Sequence, residues 1–338
     1  MKLVSTYVLK IAGEALSSLR LLLCVSALAL VVVACGGNAG QSAAASDAAR
    51  SAKSSADRPA ERRYVVPRPP ALLNDPYDRL EYVSEHYWDA FDFGDKSWLA
   101  DTAAMEQTFA DFVGVLGYAP ADMASASLCD MLRRAETDAD MYRRFAELSE
   151  HYFYDPNSPL RNEELYISVL DELLAASELD SLEKLRPAYQ RMMISKNRVG
   201  TVAADIVYET PNGRSSSLRS LRAPYVLLFF HDPDCATCRA LTAELDRSPV
   251  LQAAIDAGQL VVLTIYPDAD EQAWRNHVAD MPHKGWIHGW DRAQLLNAGD
   301  IYDLRARPSL YLLDKDKRVL IKDIARVEPI EERFRSDE

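Results

Sequence analysis

Two cysteines three positions apart, Cys235 and Cys238, directly follow the continuous apolar run 225–230 and stand at the head of a helix-like stretch. Such a run is typical of a parallel strand covered on both faces. The following helix would present its N-terminus to the cysteines, where its dipole stabilises a thiolate. Two thiols at this spacing can form a small disulfide and reopen it by exchange. The pattern therefore predicts an α/β unit with a redox site at the end of a buried strand.

The chain after Gly200 supplies the other elements of such a unit. Short β-like runs alternate there with helical segments, a pattern that predicts a mixed sheet flanked by helices. The predicted elements are a hairpin at 202–208 with a turn at 211–213, a strand at 260–265, a helix at 271–279, a short edge strand at Trp286 and Ile287, and an antiparallel pair at 309–313 and 318–322.

The chain between about 75 and 196 has helical apolar spacing and predicts five or six helices in one all-α domain. Asp75 and Pro76 form a helix-start pair, with Asp as the cap and Pro in the first turn. Aromatic residues cluster at 87–93. Because aromatics at helical spacing usually pack inside a domain, we interpret this cluster as core rather than a ligand groove.

The N-terminal segment has the pattern of an exported lipoprotein. Basic residues precede the apolar run 21–34, which is short for a membrane span and typical of a signal peptide. Residues 32–36, Val-Val-Ala-Cys-Gly, resemble a bacterial lipobox, in which Cys35 would become the lipidated first residue. An uncleaved membrane anchor is the alternative. Either reading places the chain outside the cytoplasm, and we expect a lipid anchor facing the periplasm.

These observations divide the chain into four predicted parts: a signal peptide at 1–34, the lipidated Cys35 with a flexible tether at 35–70, an all-α domain at 71–197 and an α/β domain at 198–338. The tether is rich in Ala, Ser and Gly and has little apolar surface to bury. The net charge of -13 argues against a nucleic-acid partner, because phosphate binding needs clustered Lys and Arg. Cys129, in an apolar stretch, is predicted to be a small buried hydrophobe.

The order of strand, cysteine pair, helix, strand, helix, proline, strand and strand, with Pro308 before the penultimate strand, resembles the thioredoxin fold. The entry at 200–205 and the loop at 211–213 resemble the TlpA/ResA branch, whose members are membrane-tethered envelope proteins. The helical half, at 86–89 and 154–162, resembles an uncharacterised domain that precedes such modules in some Gram-negative lipoproteins.

The resemblance implies roles for particular residues. Cys235 would be the exposed nucleophile and Cys238 the resolving thiol of a thiol–disulfide oxidoreductase acting on protein thiols or disulfides. Pro308 matches the family's cis-proline, which leaves the backbone of Arg307 free to pair with an extended substrate, and Asp234 would lie on the same substrate-binding surface. No cofactor or metal is implied. Electrons would come from a membrane or periplasmic thiol donor.

The chain departs from the family at the positions that tune the cysteines. Asp234 stands where thioredoxins usually carry Trp, and Phe229 and Leu241 stand where family members carry buried carboxylates. No obvious proton relay for Cys238 is therefore evident. Nearby carboxylates raise a cysteine pKa while a helix dipole lowers it, so we expect a modestly depressed pKa for Cys235 and a reducing rather than strongly oxidising couple.

Two other functions stay open. The cysteines could form a structural disulfide in a binding module, with the helical domain as the interaction surface. Alternatively, His231 with the cysteines could bind copper(I), although we expect His231 to face away along the strand–loop junction. We interpret Asp303, Arg305 and Arg307 as surface ion-pair residues rather than groups that position a substrate. The histidines near the tryptophans, at 277, 283 and 288, are interpreted as solvated loop residues rather than the lining of a substrate groove.

Overall fold

The structure is a computed structural model that describes residues 62–335. The predicted signal peptide at 1–34, the predicted lipidation site Cys35 and the first part of the predicted tether lie outside these residues. Between residues 62 and 335, no helix is both long enough and apolar enough to cross a bilayer. The described residues divide into two compact units, one ending at Ser127 and the other beginning at Leu128. The predicted domain bounds, with a helical domain ending at 197, stay a prediction.

Seven helices lie in the described part of the chain before the first strand. They are α1 Pro76–His86, α2 Ser97–Ala100, α3 Thr102–Leu116, α4 Ala121–Ala135, α5 Ala139–Phe153, α6 Glu163–Ala175 and α7 Leu185–Ile194. The predicted start at Asp75 is confirmed, because the Asp75 side chain accepts a hydrogen bond from the backbone N–H of Tyr77. Asn162 caps α6 in the same way through the N–H of Leu165.

The first unit is built around aromatic side chains. Tyr87 and Trp88, which follow α1, are at most 2% exposed and pack against Phe112 of α3, with ring centroids 4.9 and 5.1 Å away. Phe91 packs edge-on against Trp88 at 5.2 Å. The interpretation of this cluster as core is confirmed, because its rings are buried and pack against one another.

The second unit contains a seven-stranded mixed sheet. Its strands are β1 Val207–Glu209, β2 Ser215–Ser217, β3 Tyr225–Phe230, β4 Leu260–Tyr266, β5 Trp286–Trp290, β6 Ser309–Asp314 and β7 Val319–Ile324, in the order β2-β1-β5-β4-β3-β6-β7. β3 is parallel to β4, and β4 is parallel to β5, whereas β6 runs antiparallel to β3 and β7. The predicted mixed sheet, preceded by a helical region, is confirmed.

Helices cover both faces of this sheet. They are α8 Ala236–Arg247, α9 Pro249–Asp256, α10 Glu271–Val278, α11 Leu295–Ala298 and α12 Glu328–Arg335. Alternate residues of β3 enter opposite cores: Phe229 packs with Leu241 and Leu245 of α8, and Phe230 packs on the other face with Tyr302. This two-sided burial explains why β3 reads as an uninterrupted apolar run.

Two strands differ from the sequence expectation. The strand predicted from residue 202 begins only at Val207, because Val202 bridges to Arg318 and the N–H of Ala203 donates to the carbonyl of Lys317, at the turn between β6 and β7. The strand predicted at the sheet edge is longer and interior, since β5 pairs with β4 on one side and with β1 on the other.

Candidate redox site

The two cysteines lie at the start of α8, just after the interior strand β3. Cys235 is the N-cap residue of α8, and its Sγ accepts a hydrogen bond of 3.0 Å from the backbone N–H of Cys238. The two residues form a disulfide with their Cα atoms 5.2 Å apart. Cys235 is partly exposed, whereas Cys238 is 1% exposed and belongs to the core beneath α8. One sulfur can therefore meet a partner, and the other can react only within the protein.

Pro308 lies beside the disulfide because of the sheet register. β6 begins at Ser309, which pairs with Phe230 at the end of β3, so the residues before β6 meet the residues after β3. The peptide bond between Arg307 and Pro308 is cis. The carbonyl oxygen of Arg307 lies 3.8 Å from Cys235 Sγ. The structure thus brings together Cys235, Cys238, Arg307 and Pro308.

Charged side chains border Cys235. The guanidinium of Arg307 lies 2.5 Å from a carboxylate oxygen of Asp268 and 3.6 Å from one of Asp232. Asp234 is exposed, and its backbone N–H donates to the Asp232 carboxylate at 3.0 Å. Because the ion-paired side chains are about a quarter to a third exposed, the pairs orient Arg307 more than they stabilise the fold.

His231 lies near two other histidines, His277 and His288, just beyond the end of β3. His231 follows β3 and is fully buried, and its ring lies 5.4 Å from Phe229 and 5.2 Å from His277 of α10. Neither of its ring nitrogens has a hydrogen-bond partner in the described structure. Burial, reinforced by His277, His288 and Arg307, lowers the pKa of His231 to about 3.

His288 of β5, unlike His231, has a hydrogen-bond partner for each ring nitrogen. Its Nε2 lies 2.9 Å from the carbonyl of Pro282 and its Nδ1 lies 3.0 Å from the Thr264 hydroxyl. A carbonyl can only accept, so Nε2 donates and Nδ1 accepts from Thr264. Burial lowers the pKa of His288 as well. The expectation of solvated loop histidines is wrong for His288, because β5 extends through this residue and carries it into the sheet interior.

The expected orientation of His231 is also wrong. Alternation along β3 places His231 on the same face as Phe229, and Phe229 belongs to the buried cluster that contains Cys238. The signal in the sequence was the two-residue spacing between Phe229 and His231. Among residues 62–335, no three His, Cys, Asp or Glu side chains form a group that could hold a metal ion.

Asp303 and Arg305, interpreted as surface residues, instead belong to a charged network in which Asp303 is buried and Arg305 is largely buried. Arg305 lies 2.7 Å from Asp303 and 2.5 Å from Glu163 of α6, and its guanidinium stacks 3.5 Å above the ring of Tyr154. Lys322 reaches the other oxygen of Glu163 at 2.9 Å. Sequence pattern could not reveal this burial, because the partners come from segments more than a hundred residues apart.

Cys129 does not join the site. It lies on α4 with its Sγ 3.9 Å from the carbonyl of Ser168. Burial, with the nearby Glu172 carboxylate, raises its pKa to about 11. A thiol that stays protonated at neutral pH reacts poorly as a nucleophile. Cys129 is only partly buried, so the prediction of a buried hydrophobe is wrong about its burial.

Comparison with known proteins covers both halves of the chain. A family model described as a domain of unknown function, DUF5106, matches residues 34–197. A crystal structure of a thioredoxin-like protein from Bacteroides caccae is 35% identical, with a TM-score of 0.79, and the match covers 82% of this chain and 99% of that one. The match spans nearly all of that protein and most of this chain.

Two further similar structures match a smaller part of the chain. The C-terminal domain of an uncharacterized protein from Bacteroides fragilis is 38% identical over 42% of this chain and 99% of its own, with a TM-score of 0.41. The thioredoxin domain of a thiol-disulfide oxidoreductase from Bacteroides vulgatus is 21% identical over 41% of this chain and 97% of its own, with a TM-score of 0.36. No curated protein matches the chain.

Proposed function

Since the chain belongs to the thioredoxin-like proteins and has a DUF5106 domain ahead of its thioredoxin-like region, we propose that it is a thiol–disulfide oxidoreductase that acts on protein thiols or disulfides through Cys235 and Cys238. The observation that carries the proposal is the asymmetry of this pair. Cys235 caps a helix at a partly exposed position, and Cys238 is buried one turn further along the same helix. Such a pair can attack a partner with one sulfur and release it with the other.

The exchange proceeds by two successive thiolate attacks. The Cys235 thiolate attacks a substrate disulfide, forms a bond with one substrate sulfur and expels the other as a thiolate. The Cys238 thiolate then attacks Cys235 Sγ, the bond to the substrate breaks, and the second substrate sulfur leaves. Two electrons pass to the substrate, and the Cys235–Cys238 disulfide remains. A thiol donor in the envelope must reduce it before the next cycle.

The backbone around Pro308 supports binding of an extended substrate. Pro308 has no N–H, and the carbonyl of Arg307 lies 3.8 Å from Cys235 Sγ. A substrate strand laid along this segment would place its own cysteine at the attacking sulfur, in the manner of strand addition. Asp234, exposed next to Cys235, would contact the same strand. The carboxylates of Asp232 and Asp234 beside Cys235 favour the reducing direction, because they oppose an extreme drop in its pKa.

The proposed location is the bacterial cell envelope, with the chain anchored by a lipid on Cys35 and facing the periplasm. The lipobox-like sequence before Cys35 supports it. Metabolic labelling with a fatty acid tests this part alone: we expect label and membrane association in the wild-type chain and neither in Cys35→Ala. Label retained in Cys35→Ala would contradict lipidation at this residue.

The function is tested by insulin reduction and by trapping. The wild-type chain should reduce insulin in the presence of dithiothreitol, and Cys235→Ser should lose this activity. Cys238→Ala keeps the attacking thiol but lacks the resolving one, so it should accumulate mixed disulfides with envelope proteins. Cys129→Ser is the matched control, and it should behave as the wild type because the Cys129 thiol stays protonated. No insulin reduction and no trapped partners would leave a binding module.

A further inference from the structure

The strongest unexplained feature near the disulfide is the imidazole of His231. Its exposed fraction is 0%, and neither ring nitrogen has a hydrogen-bond partner within residues 62–335. A neutral imidazole carries one donor and one acceptor, and leaving such groups unpaired inside a protein costs about 1–3 kcal/mol each. A buried polar group at this cost calls for an explanation, and proximity to reactive chemistry is one of the recurring ones.

His231 lies on the cysteine side of the sheet. It follows Phe229 by two residues, so the two side chains share a face, and their rings are 5.4 Å apart. Phe229 packs in the same buried cluster as Cys238 and Leu241. Phe229 and Leu241 are apolar, whereas His231 brings titratable ring nitrogens to the same face of the sheet.

The resolving thiol needs a proton acceptor at this place. Cys238 is 1% exposed, so bulk water has little access to its sulfur and cannot freely take up the proton of the reduced thiol. We propose that His231 is the proton acceptor for Cys238 in the step that releases the substrate. The inference rests on the proposed oxidoreductase function and assigns one step of it.

The step balances in protons and electrons. The unprotonated ring nitrogen of His231 takes the proton of the Cys238 thiol, directly or through one water. The Cys238 thiolate attacks Cys235 Sγ, and the Cys235–substrate bond breaks with its electron pair passing to the substrate sulfur. The His231 imidazolium then returns its proton to that sulfur or to water. No external oxidant or reductant enters this step.

The surroundings of His231 fix its resting state. The titratable and charged groups that act on it come from three parts of the fold: His277 on α10, His288 on β5 and Arg307 just before β6. Burial, reinforced by the cationic Arg307, keeps the ring neutral, so one of its nitrogens is free of a proton at neutral pH. The imidazolium and the thiolate would arise together, and each would offset the cost of burying the other.

A two-step reaction isolates the proposed transfer. The reduced full chain is mixed with an aromatic disulfide that releases one coloured thiolate when Cys235 attacks and a second when Cys238 resolves the mixed disulfide. Because the coloured thiolate leaves without a proton, the second release reports the deprotonation of Cys238. We expect the second rate in the wild type to be nearly independent of pH from 6 to 8.

His231→Phe keeps the ring shape and removes the nitrogens. We expect its second release to be about 10²-fold slower near pH 6 and to rise about tenfold per pH unit, following the free thiol, while the first release is little changed. His283→Phe replaces an exposed histidine of the same region and is the matched control. A second release in His231→Phe with the wild-type rate and pH profile would overturn the inference.

If the proposed function itself is wrong, the wild-type chain will not reduce insulin, and this result is distinct from a slow second release in His231→Phe alone. If His231→Phe does not fold, nitrogen NMR of the imidazole rings in the wild-type chain decides. We expect the His231 ring signals to shift between the oxidised and reduced protein, since reduction creates a thiol partner. Identical His231 signals in the two states would reject the proposal.

Discussion

At the scale of single residues, His231 links stability to pH through its buried ring. Its pKa is about 3 in the folded chain and close to the ordinary 6.5 when unfolded. Below pH 6.5 the unfolded chain therefore binds a proton that the folded chain excludes, so the contribution of His231 favours folding fully above 6.5 and declines as the pH falls toward 3.

We predict that the free energy of unfolding decreases between pH 6.5 and 4 with a contribution from His231 of about 1.4 kcal/mol per pH unit. Urea titrations of the wild type and His231→Phe, compared at each pH, isolate this slope because other groups titrate alike in both. His283→Phe should keep the wild-type slope, as His283 is exposed. Parallel pH profiles for the wild type and His231→Phe would contradict the prediction.

Some residues of the site could be predicted from the sequence, and others could not. Cys235, Cys238 and Pro308 could be found because their residue types and positions are distinctive, and the structure brings them together. The burial of His231 and Arg305 could not be found, because a polar residue near a strand end is exposed or buried according to distant segments. His231 is buried by α10, and Arg305 is buried by Glu163 of α6.

At the scale of elements, β5 shows how a single residue allows a strand to sit inside the sheet. β5 lies between β4 and β1, and a side chain at Gly289 would meet the ring of Tyr208 at 2.8 Å and Ile265 at 2.7 Å. The sequence predicted a short edge strand here, at Trp286 and Ile287, and a glycine inside a strand often marks a close approach of another chain segment. That same glycine admits the Tyr208 ring of β1.

We predict that Gly289→Ala lowers the free energy of unfolding by about 1–3 kcal/mol, because the tyrosine ring cannot yield without moving β1. Gly114, in the interior of α3, has open space around its missing Cβ. Gly114→Ala should instead stabilise the chain by about 0.5–1 kcal/mol. Chemical denaturation of both variants measures the contrast, and a stabilised Gly289→Ala would refute the packing argument.

At the scale of the whole molecule, the second unit joins helices α5 and α6 to the sheet through buried charges. Burial alone would raise the pKa of Glu163, but Lys322 and Arg305 hold it below its ordinary range. Arg161 reaches Asp323 at 3.1 Å, and the Ser309 hydroxyl donates to the other Asp323 oxygen at 2.6 Å. The start of α6, the residues just before it and the residues around Pro308 are therefore packed together within this unit. Composition and periodicity predicted both halves but not this junction.

We predict that Glu163→Gln lowers the free energy of unfolding by about 3 kcal/mol, because it leaves Arg305 and Lys322 buried without their carboxylate. The adjacent Glu164 pairs with Arg198 at an exposed position, so Glu164→Gln should cost less than about 1 kcal/mol. Urea unfolding of the two variants provides the comparison. Equal losses in both would show that the Glu163 network contributes no more than a surface pair.

The position of β3 in the sheet has a further consequence. All six of its residues pair with β4 on one side and with β6 on the other. Amide hydrogens in a strand so enclosed exchange with deuterium only when much of the fold opens, so those of β3 should be among the slowest in the chain. The reactive sulfur of Cys235 thus lies just beyond the end of a strand that opens rarely, and repeated cycles of bond making and breaking need not disturb that strand.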